Sequence, residues 1–274
     1  MRRTLQQALF CSLPALLWSS VRLYSGPTLK SYSRHIRRSS QALPPQTGGA
    51  TRDYLAEYRY DSAEAAHTEK YLWPYVVSLC AELGARRVID IGCGNGALCR
   101  ELANRGYEVV GCEPSADGVR LARSAAPELV FHQIGVDDDP SQVGDESFDV
   151  VIATEVIEHL VRPRNLLRFA KKVLRPGGHL IISTPFHGYL KNLALALTNK
   201  WDSHLTPRWD GGHIKLWSRK TLSQLLKEGG FRLVRFIGAG IIPLLWKSMI
   251  MVAQKTEDQA NDAYLSTETK LQCD

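Results

Sequence analysis

Short apolar runs alternate with amphipathic stretches over most of this chain. Arg87–Ile91 reads as a buried strand, and Ala97-Leu98-Cys99-Arg100-Glu101-Leu102-Ala103 follows with helical spacing. The same alternation continues through strand Glu108–Cys112, helix Ala116–Ala125, strand Leu129–Gln133, strand Phe148–Thr154 and helix Pro163–Leu174. Arg175-Pro176-Gly177-Gly178 predicts a tight turn into strand His179–Ser183. Helix Lys220–Glu228, strand Phe231–Phe236 and an apolar segment at Trp246–Ala253 complete the series. Strands and helices in strict alternation predict an α/β fold, a doubly wound, Rossmann-like sheet in a single domain. Ahead of it, Asp53–Leu83 has helical spacing, with Tyr54, Tyr58, Leu72, Val76, Leu79 and Cys80 as apolar-face positions. Pro74 marks a break or a fresh helix start there.

Between the first strand and its helix, Gly92, Gly94 and Gly96 remove alternate side chains from the turn. Backbone N–H groups and a helix N-terminus can then approach a ligand closely. Seventeen residues beyond Gly96, the second strand ends on Glu113, an acid placed to bind the two hydroxyls of a ribose. Dinucleotide enzymes need G-x-G-x-x-G, whereas this chain has D-x-G-x-G-x-G beginning at Asp90. That pattern resembles motif I of the class I S-adenosylmethionine (SAM) methyltransferases, as does Pro176-Gly177-Gly178 before the fifth strand. The resemblance spans roughly residues 85–255. It implies a seven-stranded, mostly parallel sheet whose last strand is antiparallel, and SAM contacts from Asp90, Gly92, Gly94, Gly96, Glu113 and Thr154. The helical segment 53–84 is then a cap over the cofactor.

The fourth strand delivers Thr154 and Glu155 to the carboxyl edge of the sheet, where open α/β folds bind ligands. A helical turn starting there puts Glu155, Glu158 and His159 on one face, two carboxylates and an imidazole able to hold a divalent cation, Mg or Zn. E-x-x-E-H is similar to the metal motif of the ubiquinone-biosynthesis O-methyltransferases, which methylate a catechol hydroxyl on a polyprenylated ring. Metal-free methyltransferases carry a related stretch, in which the acid caps a helix and the histidine packs or binds substrate. Without metal, His159, His187 or His213 is the candidate general base, with Glu155 also a catalytic candidate. His213 lies in the long connection Trp209–Trp217 and is equally a candidate to complete the metal site. Leu190–Trp201 is a lid helix, or one touching membrane beside a lipid-tailed acceptor. Lys70 stands where the ubiquinone family has an upstream Arg, and lacks its bidentate fork.

Charge changes this picture little. The net charge of +6 is misleading: eight of the 34 basic residues and no acid lie in 1–52, leaving 26 basic against 28 acidic residues beyond. The domain therefore has no basic track for phosphates, and no nucleic-acid partner is expected. Two alternatives stay open, an RNA-end 2′-O-methyltransferase and a non-catalytic SAM-binding assembly subunit. The Arg- and Ser-rich residues 1–52 match a mitochondrial transit peptide and linker, and Arg22-Leu23-Tyr24-Ser25 resembles a matrix-processing site. A secretory signal is the rival reading of Ala8–Trp18. The expected setting is the matrix or the matrix face of the inner membrane, with peripheral membrane association and a small-molecule methyl acceptor carrying a polyprenyl tail. Six cysteines without C-x-x-C spacing fit a reducing compartment. Residues 256–274 read as a polar, disordered tail.

Overall fold

The computed structural model describes Ser62 and residues 68–143, 148–205, 207–208, 212–240 and 242–256. The leader, most of the predicted 53–67 helix and the tail beyond Thr256 lie outside the described residues. The elements run α1 (Glu69–Glu82), β1 (Arg87–Ile91), α2 (Ala97–Asn104), β2 (Glu108–Cys112), α3 (Ala116–Ala125), β3 (Val130–His132) and β4 (Phe148–Thr154). After a short 3₁₀ turn at Ile157–His159 come α4 (Pro163–Val173), β5 (Leu174–Pro185), α5 (Tyr189–Leu197), α6 (Trp201–Leu205), α7 (Arg219–Glu228), β6 (Phe231–Ala239) and β7 (Ser248–Lys255).

The seven strands form one sheet in the order β3-β2-β1-β4-β5-β7-β6. β1 pairs in parallel with β2 and β4, β4 with β5, and β2 with β3. β7 is antiparallel to both β5 and β6, so the expected closing hairpin inserts its second strand between the first and the rest. Strand order reverses between β1 and β4, and in this architecture ligands bind in the crevice beyond the carboxyl ends of those strands.

Alternate residues of each strand serve opposite faces. Ile89 and Ile91 pack toward Leu166, Leu167, Phe169 and Leu226 of α4 and α7. Val88 packs toward Leu72 and Val76 of α1 and Leu98 and Leu102 of α2. Asp90 falls on this second face, directly under α2. Truncating a fully buried leucine such as Leu166 or Leu102 to alanine costs about 2–5 kcal/mol.

Helix starts follow local chemistry. Ser115 caps α3 by accepting from Gly118 N, Ser218 and Thr221 form a capping box on α7, and Pro163 opens α4. Two expectations need correction. Pro74 does not break α1: the helix runs through it, because the bond its ring nitrogen cannot make falls on Lys70, in the first turn. The Pro176-Gly177-Gly178 turn does not precede β5 but lies within it. Phe148 pairs with Leu174 and Val150 with His179, so residues 175–178 bulge from a ladder that continues.

Candidate active site

The crevice has two walls. On the β1–β2 side, Gly92 and Gly96 adopt φ of +76° and +71°, a region L side chains rarely enter. Space forbids a side chain as well: a Cβ at Gly96 would lie 2.8 Å from Ala122 Cβ and 2.9 Å from the Phe131 ring. A Cβ at Gly92 would lie 2.5 Å from Val156 Cγ2, so the loop packs directly on the turn after β4. Glu113 closes back over this loop. Its Oε2 accepts from Gly94 N and its Oε1 from Ser115 N, both at 2.9 Å. Burial nevertheless pushes its carboxyl up to about 7. Asp90 Oδ2 accepts from Cys99 Sγ at 3.6 Å, while Oδ1 is buried with no partner among the described residues. Burial raises Asp90 to about 7 too. A buried orphan oxygen and a carboxylate resting on loop amides fit a ligand that brings hydrogen-bond donors, as the ribose and amino-acid end of SAM do. Thr154 ends β4 half-buried at the same edge.

On the β4–β5 side the chain does not turn helical at Glu155. This residue has φ of +54°, rare and strained for a side-chain-bearing residue. Its carboxylate points into the sheet end and accepts from Ser183 Oγ at 2.8 Å and Ser248 Oγ at 3.1 Å. Tyr71 OH lies 3.3 Å from Ser248 Oγ, extending the network to α1. Burial pushes Glu155 up to about 7, against the serine hydrogen bonds and nearby Lys191. The expected face of Glu155, Glu158 and His159 is therefore not formed. The 3₁₀ turn starts only at Ile157, and Glu155, itself in αL, sits ahead of it with its carboxylate on Ser183 and Ser248.

Glu158 and His159 instead meet His213, with one ligand atom of each within 4.8 Å of the others. Glu158 is 1% exposed and neither carboxylate oxygen has a hydrogen-bond partner among the described residues. Its backbone oxygen accepts from Ile214 N and Lys215 N at 3.0 Å, which pins the connection carrying His213 onto the turn. Burial and the Glu155 charge hold the Glu158 carboxyl well above its usual range. His159 Nδ1 is 3.2 Å from the Gly212 carbonyl; donating there leaves Nε2 with its lone pair facing Glu158 Oε1, 3.9 Å away. His213 Nδ1 is buried with no partner among the described residues, and burial lowers this imidazole to about 4.

His187 leaves β5 at the same edge and contacts His204 of α6, not the Glu158 turn. The sequence reading did not single out His204, nor Tyr71, Ser183 and Ser248. The one signal for His204 was a third histidine between His187 and His213. The serines and the tyrosine carried none, being ordinary residues brought together by strand register. Trp209, Asp210 and Gly211 lie outside the described residues.

A glycine turn, a buried acid beneath it and a second acid at the next strand tip, all at the switch point, define a SAM-dependent methyltransferase. The family described as "Methyltransferase domain" matches residues 30–235, and the chain belongs to it. The ubiquinone biosynthesis O-methyltransferase of Azorhizobium caulinodans is 33% identical over 216 residues, covering 75% of this chain and 78% of that protein. The protein of the same name from Hydrogenovibrio crunogenus is 27% identical over 164 residues, covering 58% and 68%. The fold is shared with magnesium protoporphyrin IX methyltransferase of Synechocystis PCC 6803, solved with bound SAH, at a TM-score of 0.52 and 21% identity over 67% of this chain and 82% of that one.

Proposed function

We propose that this methyltransferase methylates a catechol-type hydroxyl of a polyprenylated quinone precursor, in mitochondria. The observation that carries the reading is the buried Glu158 carboxylate, without a hydrogen-bond partner among the described residues, beside His159 and His213 on the turn that packs against the cofactor loop. The names of the relatives favour the same acceptor class. The acid-free leader of residues 1–52 supports the location.

The donor set suits a divalent cation, Mg²⁺ or Zn²⁺: one carboxylate and two imidazoles, one of them oriented by a backbone carbonyl. Glu158, His159 and His213 would hold it, and Glu155, committed to Ser183 and Ser248, would not. Bound there, such a cation lowers the pKa of a catechol hydroxyl and orients two adjacent oxygens. The chain's own residues do the rest. The glycine loop and Glu113 hold SAM so that nucleophile, methyl carbon and sulfur lie in line. Without the cation, the acceptor hydroxyl gives its proton to an imidazole, His159 or His213, the latter neutral down to about pH 4; with both imidazoles engaged as ligands, the proton passes to water. An O–CH₃ bond forms as the S–CH₃ bond breaks, and S-adenosylhomocysteine leaves with the electron pair.

The outer arc of α5 supports a lipid-tailed acceptor taken from a membrane surface. Tyr189, Leu190, Leu193 and Leu197 share one face and are exposed, Leu197 by 78%. Among the described residues no helix is long and apolar enough to cross a membrane. The deciding experiment supplies tritiated SAM and a short-chain polyprenyl-dihydroxybenzoate, with Mg²⁺ or Zn²⁺ present or chelated. Metal-dependent labelling of the ring oxygen is the expected result. SAM binding without labelling removes this acceptor class.

A further inference from the structure

Two imidazoles beside this cluster take no part in the reading above. His187 follows β5 and is buried, and His204 comes from α6, seventeen residues on. Their Nε2 atoms are 3.3 Å apart. His187 Nδ1 lies 3.0 Å from Asn192 Oδ1, an acceptor, so its proton sits on Nδ1 and its Nε2 presents a lone pair to His204. The Trp201 ring stacks parallel to His187, at 6.4 Å between centroids, and restricts its rotation.

A fixed tautomer with the outer nitrogen donated to an amide oxygen is how proteins orient a histidine ligand toward a metal. Two nitrogens bound at about 2.0–2.1 Å to a tetrahedral zinc ion stand about 3.3–3.4 Å apart. That is the separation of this pair. We propose that His187 and His204 bind a zinc-class divalent cation between their Nε2 atoms, at a site separate from the Glu158–His159–His213 cluster. Nitrogen-only ligation selects Zn²⁺ or Co²⁺ over Mg²⁺, which seeks oxygen. Two protein ligands leave the remaining positions to water or to oxygens of a bound small molecule. His213 is the nearest further imidazole, its ring centroid 5.9 Å from that of His204. Lys191 opposes a cation here. Its amine donates to the Lys247 carbonyl, and burial has already brought it down to about 8, so it can release its proton when the ion enters.

The inference does not depend on the acceptor or on the neighbouring cluster, and its test is binding alone. The chelator-stripped full chain carrying Glu158→Gln and His159→Ala is titrated with Zn²⁺ by equilibrium dialysis, and with Co²⁺ by the visible bands of four-coordinate cobalt. SAM binding serves as the control for folding. One equivalent of Zn²⁺ is expected to remain bound in that background. His204→Ala or His187→Ala should then lower its affinity by more than the roughly 10–100-fold expected for Asn192→Ala, which removes only the orienting amide. Loss of all Zn²⁺ binding in the Glu158→Gln/His159→Ala chain overturns the proposal. So does unchanged affinity after His204→Ala, or equal competition by Mg²⁺; the pair is then a hydrogen-bonded couple and nothing more.

Discussion

The two walls of the crevice are built on opposite plans. On the β1–β2 wall the important groups come from one short stretch and the next strand tip, and Glu113 ties them together: one oxygen accepts from Gly94 N of the glycine turn and the other from Ser115 N at the start of α3. On the β4–β5 wall the groups come from five separated places in the chain, and several are left wanting. Among the described residues, Glu158 has two orphan oxygens and His213 an orphan nitrogen. A buried carboxylate oxygen without a partner costs free energy; among the described residues the first wall carries one, Asp90 Oδ1, whereas the second carries both oxygens of Glu158. The contrast teaches where each wall gets its rigidity. The first is set before a ligand arrives, while the second is completed by what binds.

The largest effect should come from breaking the preorganised wall. Gly96→Ala puts an L side chain into αL, at about 1–2 kcal/mol. It also presses a methyl against Ala122 and Phe131, both buried, for about 1–3 kcal/mol of overpacking. SAM binding should fall with stability, read by urea denaturation and calorimetric titration. Wild-type stability in the variant would mean that the loop is not rigid.

Next comes the unsatisfied wall, where the two acids should behave differently. Glu158→Gln is expected to lower kcat by about 100-fold or more while leaving the SAM Kd within about threefold. The same change should raise the melting temperature at pH 8, because it removes a carboxylate that burial opposes. Glu155→Gln keeps one oxygen acceptor for Ser183 or Ser248 and turns the other contact into an amide N–H donation to a serine oxygen, so it should cost only about tenfold in kcat. If Glu155→Gln proves as damaging as Glu158→Gln, the division of roles between the two acids is wrong.

The same contrast explains how far the sequence could be read. Asp90, the three glycines and Glu113 lie within 24 residues, and their order alone encodes strand, turn, helix and strand. Periodicity likewise marks α3 and β4 at their observed ends. The acceptor wall depends on facts that local pattern does not carry. Glu155 looked like the first residue of a helical face, but its own αL backbone sets it toward Ser183 and Ser248. Ser248 reaches it only because β7 inserts between β5 and β6, setting Pro185 opposite Ser248. His213 joins Glu158 through two backbone bonds from the connection that carries it, and no spacing rule predicts those. His204 sits on a five-residue helix too short to announce itself by periodicity.

The smallest effect, a change in the shape of a stability curve, separates the buried carboxyls of both walls from the imidazoles of the second without any ligand. Asp90 and Glu113 have folded pKa values raised to about 7 from ordinary values near 4. Between those limits the folded state holds more protons than the unfolded, so their contribution falls as pH rises from about 4 to about 7. Glu155 and Glu158, on the other wall, add to the same trend. His204 and His213 run the other way. Their folded values drop to about 4 from 6.5, the unfolded state holds more protons in that interval, and stability rises with pH across it. The two slopes oppose each other in the wild type, and each can be reduced in turn by removing one contributor. Melting temperatures of the metal-free chain between pH 4.5 and 7.5 should tilt upward with pH in Asp90→Asn, relative to wild type, and downward in His204→Ala. Identical tilts in the two variants would show that the buried acid under the glycine turn and the buried imidazole of the acceptor wall do not titrate in opposite senses.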